Sequence, residues 1–165
     1  MKKLISEYAA YNVWANERIC SVISSLSDEK FHREVVSSFP SIQKTSLHMW
    51  VAQLIWIKRL EGLSLSVVPT EEFHGTRDDI VNGIISTSEK LEEMTGSFSK
   101  EDLKQTRKYT TMKSGIFISA QYEMLTHVFN HSTYHRGQLI TMLRQVGVTE
   151  LPQTDLIFFY RQTKP

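Results

Sequence analysis

Along four long stretches of the chain, apolar residues recur every three to four positions, the spacing that lines one face of an α-helix. The first stretch runs from about Lys2 to Leu26 and carries Leu4, Tyr8, Tyr11, Ala15 and Val22 on its stripe. Ser27 then has the chemistry of an N-cap, opening a short helical turn through His32. An extended linker ends at Pro40-Ser41, and a second helix is predicted from Ile42 to Glu61, with Gly62 as its left-handed stop. The segment from Leu63 to Gly75, which contains Pro69, reads as a loop. Thr76-Arg-Asp-Asp79 resembles a capping box and opens a third helix to about Thr95, ended by Gly96. From Gln105 to Ile118, threonines, Tyr109 and Phe117 around Ser114-Gly115 suggest an extended or hairpin-like excursion. A fourth helix follows from about Ser119 to Val146 and stops at Gly147. The tail from Asp155 to Arg161 is too apolar to stay in water and should pack back on the body.

This order predicts an all-α chain, a four-helix bundle with long crossover connections, filling residues 1–165 as a single domain. No repeat or low-complexity linker divides it. The connections are longer than a tight up-and-down bundle uses, so the pattern leaves the topology open.

Composition narrows the class. The chain has 165 residues, 41% hydrophobic and 22% charged, with 19 Lys and Arg against 18 Asp and Glu. That balance excludes disorder as the dominant state and offers no basic footprint for nucleic acid. The longest apolar run, Leu156 to Tyr160, is far short of the ~20 residues of a spanning helix. Met1-Lys-Lys resembles the start of a signal peptide, but Ser6, Glu7 and Asn12 interrupt any apolar region behind it. The single cysteine, Cys20, has no internal partner, and the expected location is a reducing cytoplasm. Cys20 falls in a helix interior, where a packing role is expected rather than a nucleophile. The patterns of nucleotide-binding loops and serine-hydrolase elbows do not occur.

Six histidines stand apart, three of them at His127, His131 and His135. Residues four apart on a helix share a face about 6 Å apart along the axis, so His131 and His135 can bind one ion together. They lie on the stripe Met124, Val128, His131, His135, Gln138 and Met142, whose apolar members face the core. Imidazoles aimed into a core need polar partners, and a metal supplies them. His48 shares a face with Val51, Ala52 and Ile55 on the second helix and is the best third ligand. His32 and His74 sit outside the long helices and have no such argument. His127 also faces inward by this periodicity and can pair with His131 instead. One ion cannot take all three, since they span about 12 Å of helix, so one outer histidine lines the pocket or is structural. Three neutral imidazoles with a vacant fourth position make an open site of the catalytic kind. Around it, Trp14, Trp50 and Trp56 read as core or interface aromatics; Arg136 and Gln138 are placed to orient a ligand or pair with partners, with solvent exposure the blander expectation for Arg136. Gly137, in mid-helix, is either a close-approach position or a tolerated glycine.

Several segments together resemble the DinB family, within the wider group of DinB/YfiT-like metalloenzymes. They are Tyr11-Asn-Val-Trp-Ala-Asn16, Ser46-Leu-His48 with Ala52 and Trp56, His127-Val-Phe-Asn-His131-Ser-Thr-Tyr-His135-Arg-Gly-Gln138, and Leu151-Pro-Gln-Thr-Asp155 with Phe159-Tyr-Arg161. The likeness covers nearly the whole length, with little to recognise between about residues 63 and 118. It implies a four-helix bundle with a long crossover and a three-histidine metal site, usually in a homodimer. His48, His131 and His135 match the family's ligand positions, and His127 falls near the site outside the usual three. Many relatives carry His where this chain has Tyr134, a departure that should leave coordination intact. The implied cofactor is a divalent metal ion, zinc or nickel, and the family name suggests a stress response. Related members of the wider group are S-transferases and isomerases that use low-molecular-weight thiols. By that analogy the partner is a small-molecule substrate, a thiol among the candidates, with no nucleic acid and no membrane. A metal-bound thiol or water would be acidified at such a site, giving a transferase or a hydrolase. A non-catalytic metal- or ligand-binding protein is the alternative. Glu123, two turns before His131 on roughly the same side, is the candidate general base.

Overall fold

The computed structural model describes residues 1–64, 73–111 and 115–163. Its elements are α1 (Lys2–Ser24), α2 (Asp28–His32), α3 (Ile42–Leu60), α4 (Arg77–Ser97), β1 (Thr106–Thr110), β2 (Ile116–Ala120), α5 (Gln121–Gln145) and α6 (Leu156–Thr163). A 3₁₀ turn at Asp102–Lys104 precedes β1. The four long helices are those expected from periodicity, with ends displaced by one or two residues. Most of the interhelix loop expected from Leu63 to Gly75, Pro69 included, lies outside the described residues, as does Ser114.

The helix starts follow from local chemistry. The Ser27 and Ser41 hydroxyls accept from the backbone N–H groups of Lys30 and Lys44. Thr76 and Asp79 form a reciprocal capping box. Gly62 and Gly147 end α3 and α5 with φ of 82°, as the sequence indicated. Gly96 does not end α4. It stays helical, and the helix stops two residues later where Phe98 turns extended. The fourth helix also starts later than expected, at Gln121, because Ser119 and Ala120 pair with β1 as the end of the hairpin.

Cross-helix contacts fix the topology that periodicity left open. Helix α1 packs against α4 and α5, and α3 packs against the same two. The ring order is therefore α1–α4–α3–α5, and the chain crosses a diagonal twice, from α1 to α3 and from α4 to α5. Tyr8 meets Phe129 while Asn16 meets Arg136, so α1 and α5 run parallel. Thr45 meets Met142 while Trp56 meets His127, so α3 and α5 run antiparallel. The long connections are what those diagonals require. Helix α6 closes one side, with Phe159 packed on Tyr11 and Trp14, and Tyr11 Oη donates to the Thr154 carbonyl at 2.8 Å.

The core has two large apolar clusters with a polar layer between them, and a third, smaller one of Tyr11, Ala15 and Phe159 where α6 meets α1. One large cluster is built around Ile19, Ile23, Ile42, Met49, Ile84 and Leu139, the other around Ile5, Ile57, Leu91, Leu125, Val128 and Phe129. Between these two sit buried Asn12 and Asn16 of α1, Gln53 of α3, Thr87 and Ser88 of α4, and Arg136 of α5. Arg136 corrects the expectation of solvent exposure: it is only 2% exposed. Its Nη1 donates to Asn12 Oδ1 at 3.0 Å and Asn16 Oδ1 at 2.7 Å, and its Nη2 to Thr133 Oγ1 at 2.8 Å.

Two glycines are expected to respond in opposite directions. A Cβ at Gly137 would meet nothing within 4 Å, so no helix approaches it closely and Gly137→Ala should stabilise by about 1 kcal/mol. A Cβ at Gly83 would overlap the indole of Trp50, so Gly83→Ala should destabilise by ~1–3 kcal/mol. Urea unfolding midpoints of the two variants check both signs.

Candidate metal centre

His48 comes from α3, and His131 and His135 come from successive turns of α5. One nitrogen from each lies within 4.8 Å of the others, a group that could hold a metal ion. The His131 Nε2 atom is 3.3 Å from His48 Nε2 and 3.2 Å from His135 Nε2. A tetrahedral site with metal–nitrogen bonds of 2.0–2.1 Å places its ligand nitrogens about 3.3–3.4 Å apart. The donor set and its spacing therefore fit a divalent ion.

The surroundings prepare these nitrogens. His135 Nδ1 donates to the Gln138 side-chain oxygen at 2.7 Å, which leaves the His135 Nε2 lone pair facing the other two rings. Gln138 is held in turn by its amide nitrogen donating to Ser38 Oγ at 3.1 Å. Phe39, in the linker before α3, stacks on His48 at 4.4 Å between ring centres and lies 5.8 Å from His135. Gln138 thus takes the role of orienting a ligand that its sequence position offered, whereas Phe39 carried no signal in the sequence.

Burial pushes the His48 pKa down to about 4, with His135 adding to the effect. Burial likewise lowers His131 to about 4, helped by His135, His48 and His127. His135 is lowered too, by burial first, against a smaller opposing effect of Gln138. All three rings are thus neutral at pH 7, the protonation state that metal ligation needs. The unfolded chain takes up protons near pH 6.5, above the folded values, so it binds more protons between about pH 6.5 and 4. Metal-free protein should therefore lose stability as pH falls through that window and be insensitive to these groups above it. Melting temperatures in chelator-treated samples across pH 4–8 check this.

His127 does not join the three and is not inward-facing. It is exposed, with its ring 5.8 Å from His131 and 4.7 Å from Trp56. Partial desolvation of the ring, helped by the cation of Arg59, lowers its pKa. Glu123 is committed to the start of α5: Oε2 accepts from Ala120 N–H and Oε1 from Tyr122. Its expected role as a base finds no support in this geometry. Cys20 is buried and burial pushes its thiol pKa up to about 12, which suits packing and not nucleophilic chemistry. His32 and His74 are exposed and lie outside the site helices α3 and α5. No helix among the described residues is long and apolar enough to cross a membrane.

The model of the DinB family matches residues 1–165. This chain belongs to the DinB family. Among curated relatives, Protein DinB of Bacillus subtilis (strain 168) is 33% identical over an alignment covering 93% of this chain and 92% of the relative. Among solved structures, a DinB-like protein of Bacillus cereus superposes with a TM-score of 0.65 at 17% identity, covering 85% of this chain and 90% of that one. A DinB-like protein of Bacillus subtilis gives 0.64 at 15% identity, over 90% of this chain and 96% of that one. At these identities the two structures speak for the fold. The DinB fold thus accounts for the bundle and its diagonal crossovers, and the three histidines sit on two of its core helices.

Proposed function

We propose that this protein binds one divalent metal ion through His48, His131 and His135 and uses it to activate a thiol or a water for reaction with a small molecule. The observation that carries the reading is the convergence of three imidazole nitrogens within 4.8 Å, two of the distances, those through His131 Nε2, being at tetrahedral spacing, with the His135 lone pair oriented by Gln138. The bound ion, zinc or nickel, would supply a positive charge that lowers the pKa of a fourth ligand and stabilises its anion.

The chain's own residues do the rest. The three neutral rings leave the site's charge unneutralised, since no carboxylate among the described residues joins the group. Phe39 covers His48 and restricts water on that side. A thiol as the activated group makes the protein S-transferase-like, and a water makes it a hydrolase. Thiol transfer ranks first through the analogy with related thiol-dependent enzymes. A homodimer and a role in stress complete the reading.

Metal analysis of protein purified without a histidine tag tests the first step. Close to one equivalent of zinc or nickel per chain is expected. Occupancy far below that, unchanged by added metal, would sink the reading. Consumption of thiols in the presence of a panel of electrophiles, compared with hydrolysis of the same compounds, then separates transferase from hydrolase. Metal binding without either activity would leave a non-catalytic binding protein.

A further inference from the structure

A cavity of about 360 Å³, walled by α3, the hairpin and the start of α5, is lined by His127, one helical turn before His131. Its size falls within the range of small-molecule sites. Trp56, Tyr109 and Phe117 form an aromatic wall, with Trp56 and Tyr109 at 5.5 Å and Tyr109 and Phe117 at 6.0 Å between ring centres. His127 lies between the cavity and the site, 4.7 Å from Trp56 and 5.8 Å from His131.

Arg59 also lines this cavity. Its guanidinium lies over Trp56 at 4.6 Å and Tyr109 at 5.0 Å, and donates only a long 3.4 Å bond to the Thr110 carbonyl. No carboxylate among the described residues pairs with it. Glu123, which lines the same cavity, has one oxygen on the Ala120 N–H and the other on the Tyr122 hydroxyl. A half-buried guanidinium held by two ring faces, with its planar donor fork unused by any carboxylate of the described residues, is suited to an external one.

We propose that this cavity is the substrate subsite of the histidine centre and takes a flat, aryl-bearing carboxylate, its carboxylate on Arg59 and its ring against Trp56, Tyr109 and Phe117. The proposal rests on the metal-centre reading for the word substrate, but binding in the cavity does not require the ion. The arrangement recognises a molecule by both ends of its chemistry, since either an isolated anion or an isolated ring makes only half the contacts.

Chelator-treated, full-length protein can therefore be titrated with trans-cinnamate, using acetate as the anion alone and cinnamamide as the uncharged aryl control. Indole N–H resonances, assigned by Trp→Phe substitution, report the position of binding. Cinnamate should shift the Trp56 resonance more than those of Trp14 and Trp50, and bind at least about tenfold tighter than either control, a modest loss for removing one charge-assisted contact. Arg59→Gln should remove the preference for cinnamate over cinnamamide, and Arg59→Lys should restore part of it. Equal binding of cinnamate and cinnamamide, or shifts centred on Trp14 or Trp50, would overturn the proposal. So would an Arg59→Gln protein that still prefers cinnamate. If Arg59→Gln does not fold, the contrast between the three probes on the unsubstituted protein decides alone. A protein that binds cinnamate this way but takes up no metal would refute the metal centre and leave the subsite; the reverse result would do the opposite.

Discussion

His131→Ala should reduce divalent-metal affinity by more than about 100-fold, beyond the 10- to 100-fold typical of losing a supporting residue around a ligand. Both short nitrogen–nitrogen distances in the group pass through His131 Nε2, to His48 at 3.3 Å and to His135 at 3.2 Å. Its removal leaves two donors on different helices, a pair too sparse for tight binding. Gln138→Ala tests the support itself. Losing the 2.7 Å bond frees the His135 ring to change tautomer and orientation, and should cost ~10–100-fold with all three ligands present. His127→Ala should keep the metal, since that ring is exposed and outside the group. Competition titrations with a coloured chelator measure all three. A chain that loses metal with His127→Ala but keeps it with His135→Ala would place the ligand set one turn away.

The reasons some residues were legible in the sequence and others not are geometric. Four-residue spacing puts His131 and His135 on one side of α5, and the apolar neighbours of His48 turn it inward, so local periodicity sufficed to nominate the three. The same periodicity turned His127 too far inward: Met124, Val128 and Phe129 beside it face the bundle interior, while His127 sits on the flank of α5 that lines the cavity beside the hairpin, the pocket-lining place open to an outer histidine. Phe39 was invisible for another reason. Its linker has no periodicity, and its stacking on His48 exists only once α3 and α5 have met. Arg136 shows the limit most clearly. On a helix that touches one neighbour, the residue after an inward-facing His135 lies 100° round, toward solvent. Helix α5 touches two, with α3 on the side of His135 and α1 on the side of Arg136. The buried arc of α5 is therefore wide enough to take Ser132, His135, Arg136 and Leu139 together. Ring order, which sets that width, depends on the diagonal crossovers and cannot be read from one helix at a time.

Because Arg136 is enclosed, the largest stability loss is expected there and at its acceptors. Burial lowers the Arg136 pKa, with Tyr11 as the first opposing influence, and no carboxylate among the described residues shares the network. The cation is held instead by the Asn12 and Asn16 carbonyl oxygens, by Thr133 and by the face of Tyr11, 5.1 Å from the guanidinium carbon. Those asparagines are fixed in turn: Asn12 Nδ2 donates to Gln53 Oε1 at 3.1 Å, and Asn16 Nδ2 to Ser88 Oγ at 2.8 Å. Ser88 Oγ also donates to Gln53 Oε1 at 3.0 Å, so one connected set joins all four long helices. Asn16→Ala removes the shortest acceptor and leaves a buried charge short of a partner, which should cost about 3–5 kcal/mol. Arg136→Met keeps the bulk of the chain but strands the two asparagine oxygens, at ~1–3 kcal/mol for each buried acceptor left unmade. Either loss is a large fraction of the ~5–15 kcal/mol that holds a domain folded. Replacing Arg136, Asn12 and Asn16 together by apolar residues should cost less than Arg136→Met and Asn16→Ala added, because no partner is then stranded. Denaturant unfolding of the single and combined variants measures this difference. If Arg136→Met falls within about 1 kcal/mol of the parent, the layer is not a cooperative unit, and the helix pairing around the histidines is held by the two large apolar clusters alone.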